Sequence, residues 1–182
     1  MTINAHSHRL RAGRYSEPGQ IYLVTSRLDP TRNDFTDWRT GRLLVREMKA
    51  AQDQRLIHML AWVVMPDHFH WLLQLLEGSL SAAVQRIKSK AAISVNKATG
   101  KQGRLWQGGF HETAVRYEKD LVHFARYIVA NPLRAGLVKR AGDYALWDAI
   151  WLPGSGEEFG ASAKCLPSHD RPEDDHALPG TT

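Results

Sequence analysis

Two histidines separated by one residue are the first candidates for chemistry in this sequence. His68 and His70 follow a Pro-Asp turn and open the apolar stretch H-F-H-W-L-L-Q-L. Side chains alternate between the two faces of a β-strand, so both imidazoles would project to one side and Phe69 and Trp71 to the other. Imidazoles in this arrangement can share one divalent cation. The spacing alone fits a pair of half-exposed histidines without a ligand at least as well.

A second group of candidates lies in the last apolar helical pattern, D-L-V-H-F-A-R-Y-I-V-A-N-P. Tyr127 and Asn131 are four residues apart and therefore one helical turn apart on one face. An asparagine carbonyl oxygen is a suitable ligand for Mg²⁺ or Mn²⁺, and a tyrosine hydroxyl can attack a phosphate held by such an ion. Both residues also have ordinary structural interpretations, namely packing for the tyrosine and helix termination before Pro132 for the asparagine.

The composition excludes several classes of protein. A single cysteine, Cys165, argues against a disulfide framework and against a cysteine-rich zinc site. The sequence has no apolar run long enough to span a membrane and no apolar core of a secretory signal at its N-terminus. These features predict a cytoplasmic protein that does not bind membranes.

The excess of positive charge lies in the first five-sixths of the chain. The residues before Pro153 include 22 basic and 13 acidic side chains, a net charge of +9, whereas the whole chain carries +5. Such an excess indicates a polyanionic partner, although charge kept for solubility explains it equally well. We expect a basic flexible arm over residues 1–14, a catalytic domain over 15–152 and a disordered acidic tail over 153–182.

Hydrophobic periodicity predicts the elements that would position the candidate residues. Strands are predicted over 21–28, 58–65, 68–76 and 105–116, the last irregular at Gly108-Gly109. Helices are predicted over 39–54, after a Ser79 cap, and from about residue 118. This order is the ferredoxin-like β-α-β-β-α-β pattern followed by a further helix. The predicted class is α+β, with helices on one face of an antiparallel sheet and a C-terminal catalytic helix.

Several segments together resemble a known family. H-F-H matches the His-hydrophobic-His (HUH) signature of single-strand DNA nucleases. A-R-Y-I-V-A-N-P-L-R-A-G-L-V, M-P-D-H-F-H-W-L-L, G-R-L-W-Q-G-G-F-H and G-R-Y resemble one HUH branch, the REP-associated tyrosine transposases. The resemblance covers about residues 11–151. Two departures are the single Asn131, where two consecutive asparagines are common, and Gly108-Gly109 in place of bulkier residues.

The resemblance implies a function and a set of site residues. His68, His70 and Asn131 would hold Mg²⁺ or Mn²⁺, and Tyr127 would be the nucleophile. The implied substrate is a REP-type DNA hairpin with an adjacent single-stranded segment, cleaved through a 5′-phosphotyrosine intermediate. A monomer or homodimer associated with the nucleoid would fit this activity.

Basic and aromatic residues near the predicted elements are candidates for DNA binding, by ion pairing with phosphates or by stacking on unpaired bases. Each also has a structural interpretation, as a solvated charge or a core aromatic. The candidates are Arg14, Tyr15, Arg86, Lys90, Lys97, Arg104, Trp106, Arg116 and Arg134.

Three other functions remain open from the sequence. The first is a metal-dependent phosphodiesterase that uses water while Tyr127 is structural. The second is a DNA-hairpin-binding module without catalysis. The third is a zinc site in which His111 or His123 joins the histidine pair.

Overall fold

The computed structural model describes residues 16–150 of the chain. The predicted arm and acidic tail lie outside the described residues, as do Arg14 and Tyr15. Among the helices in the described range, none is long and apolar enough to cross a membrane.

A five-stranded antiparallel sheet organises residues 16–150. Its strands are β1 (Ile21–Arg27), β2 (Ile57–Val64), β3 (His68–Leu75), β4 (His111–Val115) and β5 (Trp147–Ala149), in the order β4-β1-β3-β2-β5. The helices are α1 (Trp38–Asp53), α2 (Leu80–Thr99) and α3 (Glu118–Arg134), with short 3-10 turns at Asp34–Thr36 and Ala141–Asp143. The first four strands and the two helices between them form the predicted ferredoxin-like arrangement, so the predicted α+β class is confirmed.

Each face of the sheet carries its own apolar core. On one face, Phe69, Trp71, Leu73 and Leu75 of β3 pack with α1 and α2, and all four side chains are almost completely buried. On the other face, Leu72 packs with residues of β2 and α3. The alternation along β3 therefore places α3 on the same side of the sheet as the two histidines.

Helix α2 begins and ends at recognisable caps. The Ser79 hydroxyl accepts a hydrogen bond from the backbone N–H of Ala82 at 3.2 Å, which confirms the predicted N-cap. Gly100 ends the helix in the left-handed conformation, with φ of 67°.

The predicted strand over 105–116 is shorter than expected. Trp106 forms a bridge with Leu28, and the N–H of Gln107 donates to the Arg27 carbonyl at 3.0 Å, but regular pairing resumes only where His111 faces Thr25. Between these two contacts, the segment before β4 has four residues (107–110) and β1 has two (26–27), so the segment before β4 contains two extra residues. We call the extra pair, Gly108 and Gly109, the glycine bulge. Gly109 has a φ of 76°, which regular strand pairing does not accommodate.

The edge strand β5 was not predicted. Its segment is attached by the Tyr144 hydroxyl, which donates to the Val64 carbonyl at 2.7 Å, and by the N–H of Val64, which donates to the Leu146 carbonyl at 2.9 Å. Leu146 is buried against α1, where a Cβ placed on Gly41 would overlap its side chain. Gly41 thus provides the space into which this segment packs.

The contact between Gly41 and Leu146 is testable by a double-mutant cycle. Gly41→Val should destabilise the protein by about 1–3 kcal/mol, because the added methyl groups overpack a filled site. In a Leu146→Ala background the same substitution should cost much less, because the leucine side chain is gone. Urea unfolding of the four proteins measures this coupling. Strictly additive effects would show that β5 does not pack on α1 in this way.

Candidate metal and tyrosine site

The β1–β3 register positions both histidines. Arg27 lies opposite His68 and Thr25 lies opposite His70 in this antiparallel pair. The two imidazole ring centroids are 4.9 Å apart and the rings are nearly perpendicular, at 79°. His70 is buried, with 7% of its surface exposed, whereas His68 is only partly buried. The predicted pair therefore shares one face near the start of β3.

Each histidine is fixed through its Nδ1 atom. His68 Nδ1 lies 2.6 Å from an Asp67 carboxylate oxygen, and His70 Nδ1 lies 2.7 Å from the Thr25 hydroxyl. A carboxylate only accepts, so His68 Nδ1 carries the proton and its Nε2 keeps a lone pair. The tautomer of His70 that donates to Thr25 likewise leaves Nε2 available. Histidine ligands are commonly oriented through their second nitrogen in this manner, so the donor set fits a divalent cation.

Burial and neighbouring charges favour a neutral His70. Burial and, to a lesser extent, the nearby His68 and Arg27 lower its pKa to about 4, against the opposing effect of Asp67. Burial raises the pKa of Asp67, but the hydrogen bond from His68 and the charges of His68 and Arg27 bring it below its usual value. A neutral imidazole beside an ionised carboxylate is the state that binds metal ions.

Helix α3 brings Tyr127 against the histidines. The centroid of the Tyr127 ring is 5.2 Å from that of His70, at an interplanar angle of 68°. The guanidinium of Arg134 lies 5.4 Å above the same tyrosine ring. Tyr127 is half-buried, as predicted for the edge of the apolar stripe. The structure therefore places the candidate nucleophile directly beside a candidate metal ligand.

Asn131 lies one turn after Tyr127 and is also half-buried. Its side-chain amide nitrogen donates to the Tyr127 carbonyl at 3.4 Å, which leaves the side-chain oxygen as the atom free to coordinate a cation. The helix continues through Pro132 to Arg134, so Asn131 does not terminate it.

The structure contradicts the base-stacking role predicted for Trp106. The residue is only 7% exposed, and its ring packs against Phe35 and Phe69. Its indole N–H donates to the Lys88 carbonyl at 2.8 Å. An aromatic ring held in the core in this way has no open face for a base, so its role is to anchor the loop before β4.

The other predicted DNA-binding residues within the described range are all exposed but lie in different places. Arg134 is at the tyrosine, and Arg104 precedes Leu105, whose carbonyl accepts from the N–H of Asp29 beyond the end of β1. Arg116 follows β4 at the opposite end of β1, about 20 Å along the strand from the histidines. The remaining three lie on α2, across the sheet from Tyr127: Arg86, Lys90 and Lys97.

A zinc site with a third strong ligand finds no support within residues 16–150. The described residues contain no group of three or more His, Cys, Asp and Glu side chains arranged to hold a metal. His111 and His123, the proposed third ligands, are both exposed.

Sequence reasoning missed the residues that orient the histidines. Asp67 precedes His68, and its position after Pro66 indicates only a turn. Thr25 has no local signal, because its contact with His70 depends on the pairing of β1 with β3. The alternation of side chains between the two faces of β1 places Thr25 on the same face as Arg27, but it does not reveal that Thr25 lies opposite His70.

Comparisons with known proteins find similar sequences and structures. A family model described as Transposase IS200 like matches residues 31–131, a range that contains both histidines and Tyr127 and ends on Asn131. A REP-associated tyrosine transposase of Escherichia coli K12 is 32% identical over 133 residues, covering 72% of this chain and 77% of the relative. A solved structure of a REP-associated tyrosine transposase bound to a REP hairpin matches with a TM-score of 0.62 and 29% identity, covering 74% of this chain and 79% of that chain.

The buried His70 should make the metal-free protein sensitive to acid. Its pKa is about 4 in the folded state against 6.5 for a free histidine, so the unfolded chain binds the proton first and stability falls as the pH drops through this window. Between pH 7 and pH 4.5, this difference in the pKa of His70 should lower the free energy of unfolding by about 2–3 kcal/mol. Urea unfolding in a chelating buffer at pH 7 and pH 4.5 should show a smaller loss for His70→Gln than for the wild type. The exposed His123→Gln should behave like the wild type, and an equal loss in all three would contradict the prediction.

Proposed function

The chain belongs to the IS200-like transposase family, and from this membership we propose that it cleaves and rejoins single-stranded DNA beside a REP-type hairpin. The observation that carries the proposal is the position of Tyr127, whose ring lies 5.2 Å from that of His70 on the face where both histidines project. The REP-associated relative of known structure was solved with a REP hairpin, which supports the same kind of partner here.

The proposed metal ligands are the Nε2 atoms of His68 and His70 and the side-chain oxygen of Asn131. Mg²⁺ or Mn²⁺ suits a site with a hard amide oxygen and open positions for phosphate. Such an ion, when bound, supplies charge stabilisation for the phosphate under attack. Asp67 and Thr25 hold the two imidazoles in the required orientation through Nδ1.

Tyr127 is the proposed nucleophile. Its hydroxyl oxygen would attack the scissile phosphorus and lose its proton as the bond forms. The bond from phosphorus to the 3′ oxygen would break, leaving a 5′-phosphotyrosine and a free 3′-hydroxyl that takes up a proton. Attack on the phosphotyrosine by another 3′-hydroxyl would join strands and release Tyr127. The energy of the phosphodiester is conserved throughout, so no nucleotide cofactor is required.

Helix α2 is the proposed contact for the duplex stem of the hairpin. Its sequence, L-S-A-A-V-Q-R-I-K-S-K-A-A-I-S-V-N-K-A-T, contains four cations and no acidic residue. Arg86, Lys90 and Lys97 are exposed and lie on roughly one face of the helix. Cations arranged in this way neutralise phosphates along a duplex without reading its sequence.

The tyrosine assignment predicts a covalent intermediate. Wild-type protein incubated with a 3′-labelled hairpin oligonucleotide and Mg²⁺ or Mn²⁺ should give a labelled protein–DNA adduct on a denaturing gel, whereas a 5′-labelled one should release a labelled fragment with a 3′-hydroxyl. Tyr127→Phe should form no adduct and should cleave at least about 10³-fold more slowly, because the attacking oxygen is absent. Its affinity for the hairpin should change by less than about threefold, and chelation should abolish cleavage by the wild type.

Other outcomes of the same assay would support different functions. Cleavage without any adduct, unaffected by Tyr127→Phe, would indicate a phosphodiesterase that uses water. Tight hairpin binding with no cleavage under any metal would indicate a binding module. An adduct that persists in Tyr127→Phe would place the nucleophile elsewhere.

The α2 assignment predicts a change in salt dependence. The variant Arg86→Gln/Lys90→Gln/Lys97→Gln should bind the hairpin stem more weakly, and the slope of log K against log salt should become shallower by about 2–3. A matched variant, Arg55→Gln/Lys119→Gln/Lys139→Gln, loses the same charge from exposed residues away from α2. It should keep the wild-type slope. Equal slopes for both variants would show that net charge alone, and not α2, sets the affinity.

A further inference from the structure

The glycine bulge lies close to the histidine pair across the sheet. Gln107 is hydrogen bonded to Arg27, and Arg27 lies opposite His68 in the β1–β3 register. Two strand spacings, roughly 10 Å, therefore separate the backbone of Gln107 from that of His68. The bulge follows Gln107 directly, so it lies at the same end of the sheet as the candidate site.

Lys88, on helix α2, is hydrogen bonded to the backbone of the bulge. Its ammonium donates to the carbonyls of Gln107, at 3.4 Å, and of Gly109, and it lies 5.5 Å from the centre of the Trp106 ring. The Trp106 indole N–H donates in turn to the Lys88 carbonyl. Lys88 is itself buried, and burial lowers its pKa to about 8, so the side chain is still mainly charged near neutral pH. A buried cation thus fixes the orientation of two peptide groups of the loop.

The fixed carbonyls determine what the bulge presents to solvent. In a trans peptide the C=O and the following N–H point in opposite directions, and no cis peptide is present in the described chain. The carbonyl of Gln107 points towards Lys88, so the N–H of Gly108 is directed away from it. Gly108 is exposed, and a Cβ added at either glycine would meet nothing within 4 Å. The outer side of the bulge is therefore bare backbone with an outward donor.

Two exposed cations flank this bare backbone. Arg27 lies between the bulge and His68 across the sheet. Arg104 lies in the same loop as the bulge, three residues before Gln107. A surface without side chains permits close approach of another backbone, and an outward N–H with neighbouring guanidinium groups favours an anion. The chemistry at this position matches the phosphodiester backbone of an unpaired strand.

We propose that the glycine bulge is a close-approach surface for the sugar–phosphate backbone of the single-stranded segment next to the scissile phosphate, with Lys88 as the residue that positions it. This inference rests on the proposed function, because it assumes that single-stranded DNA reaches the histidine pair. It assigns a role to the two glycines that distinguish this loop from the bulkier residues expected there.

The test adds a side chain where the free protein has room for one. Gly108 has no positive φ and no neighbour within reach of a Cβ, so Gly108→Leu should fold like the wild type. Gly142, in the 3-10 turn Ala141–Asp143, shares both properties, and Gly142→Leu is the matched control. Fluorescence anisotropy would measure the affinity of each protein for one hairpin with and without a single-stranded flank.

Gly108→Leu should lose at least about tenfold in affinity for the flanked hairpin and keep its affinity for the blunt hairpin, because only the flank crosses the bulge. Gly142→Leu should match the wild type with both probes. Wild-type affinity of Gly108→Leu for the flanked hairpin would overturn the proposal, as would an equal loss with both probes. Absence of a covalent adduct with the wild type would instead contradict the proposed function, and the two failures are therefore distinguishable.

The role of Lys88 in positioning the bulge is tested by hairpin binding of two Lys88 variants. Lys88→Met keeps the aliphatic stem but removes the donor to both carbonyls, so it should weaken binding of the flanked hairpin while leaving the blunt hairpin unaffected. Lys88→Arg restores a cationic donor and should recover part of the affinity. Unchanged binding of the flanked hairpin by Lys88→Met would show that the bulge holds its conformation without this contact.

Discussion

The pairing of β1 with β3 is the constraint on which the candidate site depends. This register places Thr25 opposite His70 and Arg27 opposite His68, so β1 supplies the hydroxyl that orients one imidazole and an arginine that pairs with Asp67 at 3.3 Å beside the other. A slip by one residue would turn the imidazoles into the core formed with α1 and α2. The apolar residues Phe69 and Trp71 prevent such a slip, because exposing them would cost several kcal/mol each.

The same constraint explains why α3 has to lie on the opposite face from α1 and α2. Its apolar residues Ala125 and Ile128 pack on the side of the sheet to which Leu72 and the histidines project. Tyr127 lies at the margin of that contact, next to His70, and Asn131 follows one turn later. The packing of α3 on the sheet thus positions Tyr127, which itself contacts the margin of this core, and Asn131.

The sequence predicted those parts of the structure that are encoded locally. The alternation in H-F-H-W-L-L-Q-L predicted the faces of β3, the helical spacing around Tyr127 predicted that Tyr127 and Asn131 share one face of α3, and Ser79 predicted the start of α2. The errors involve contacts between distant segments. Trp106 is buried because Phe35 and Phe69 pack on it, and an aromatic residue between glycines gives no sign of that.

The sequence does not predict strand β5, and it predicts a longer strand than β4, for related reasons. The three residues of β5 are too few for a periodic signal, and their position follows from the attachment of Tyr144 to Val64. The loop that contains the bulge before β4 is hydrogen bonded to Lys88, about twenty residues earlier in the chain. Neither effect can be inferred from the residues of the element concerned.

The position of the histidine pair at the start of a strand, beside exposed Arg27 and Asp67, has a topological consequence for any polymeric substrate. The pair lies on the central strand, at the end of the sheet where β3 begins. A DNA strand that reached the pair from this exposed end of β3 would not need a free end of its own. This position would suit the proposed cleavage within a long DNA molecule, because both sides of the break could stay near the same protein.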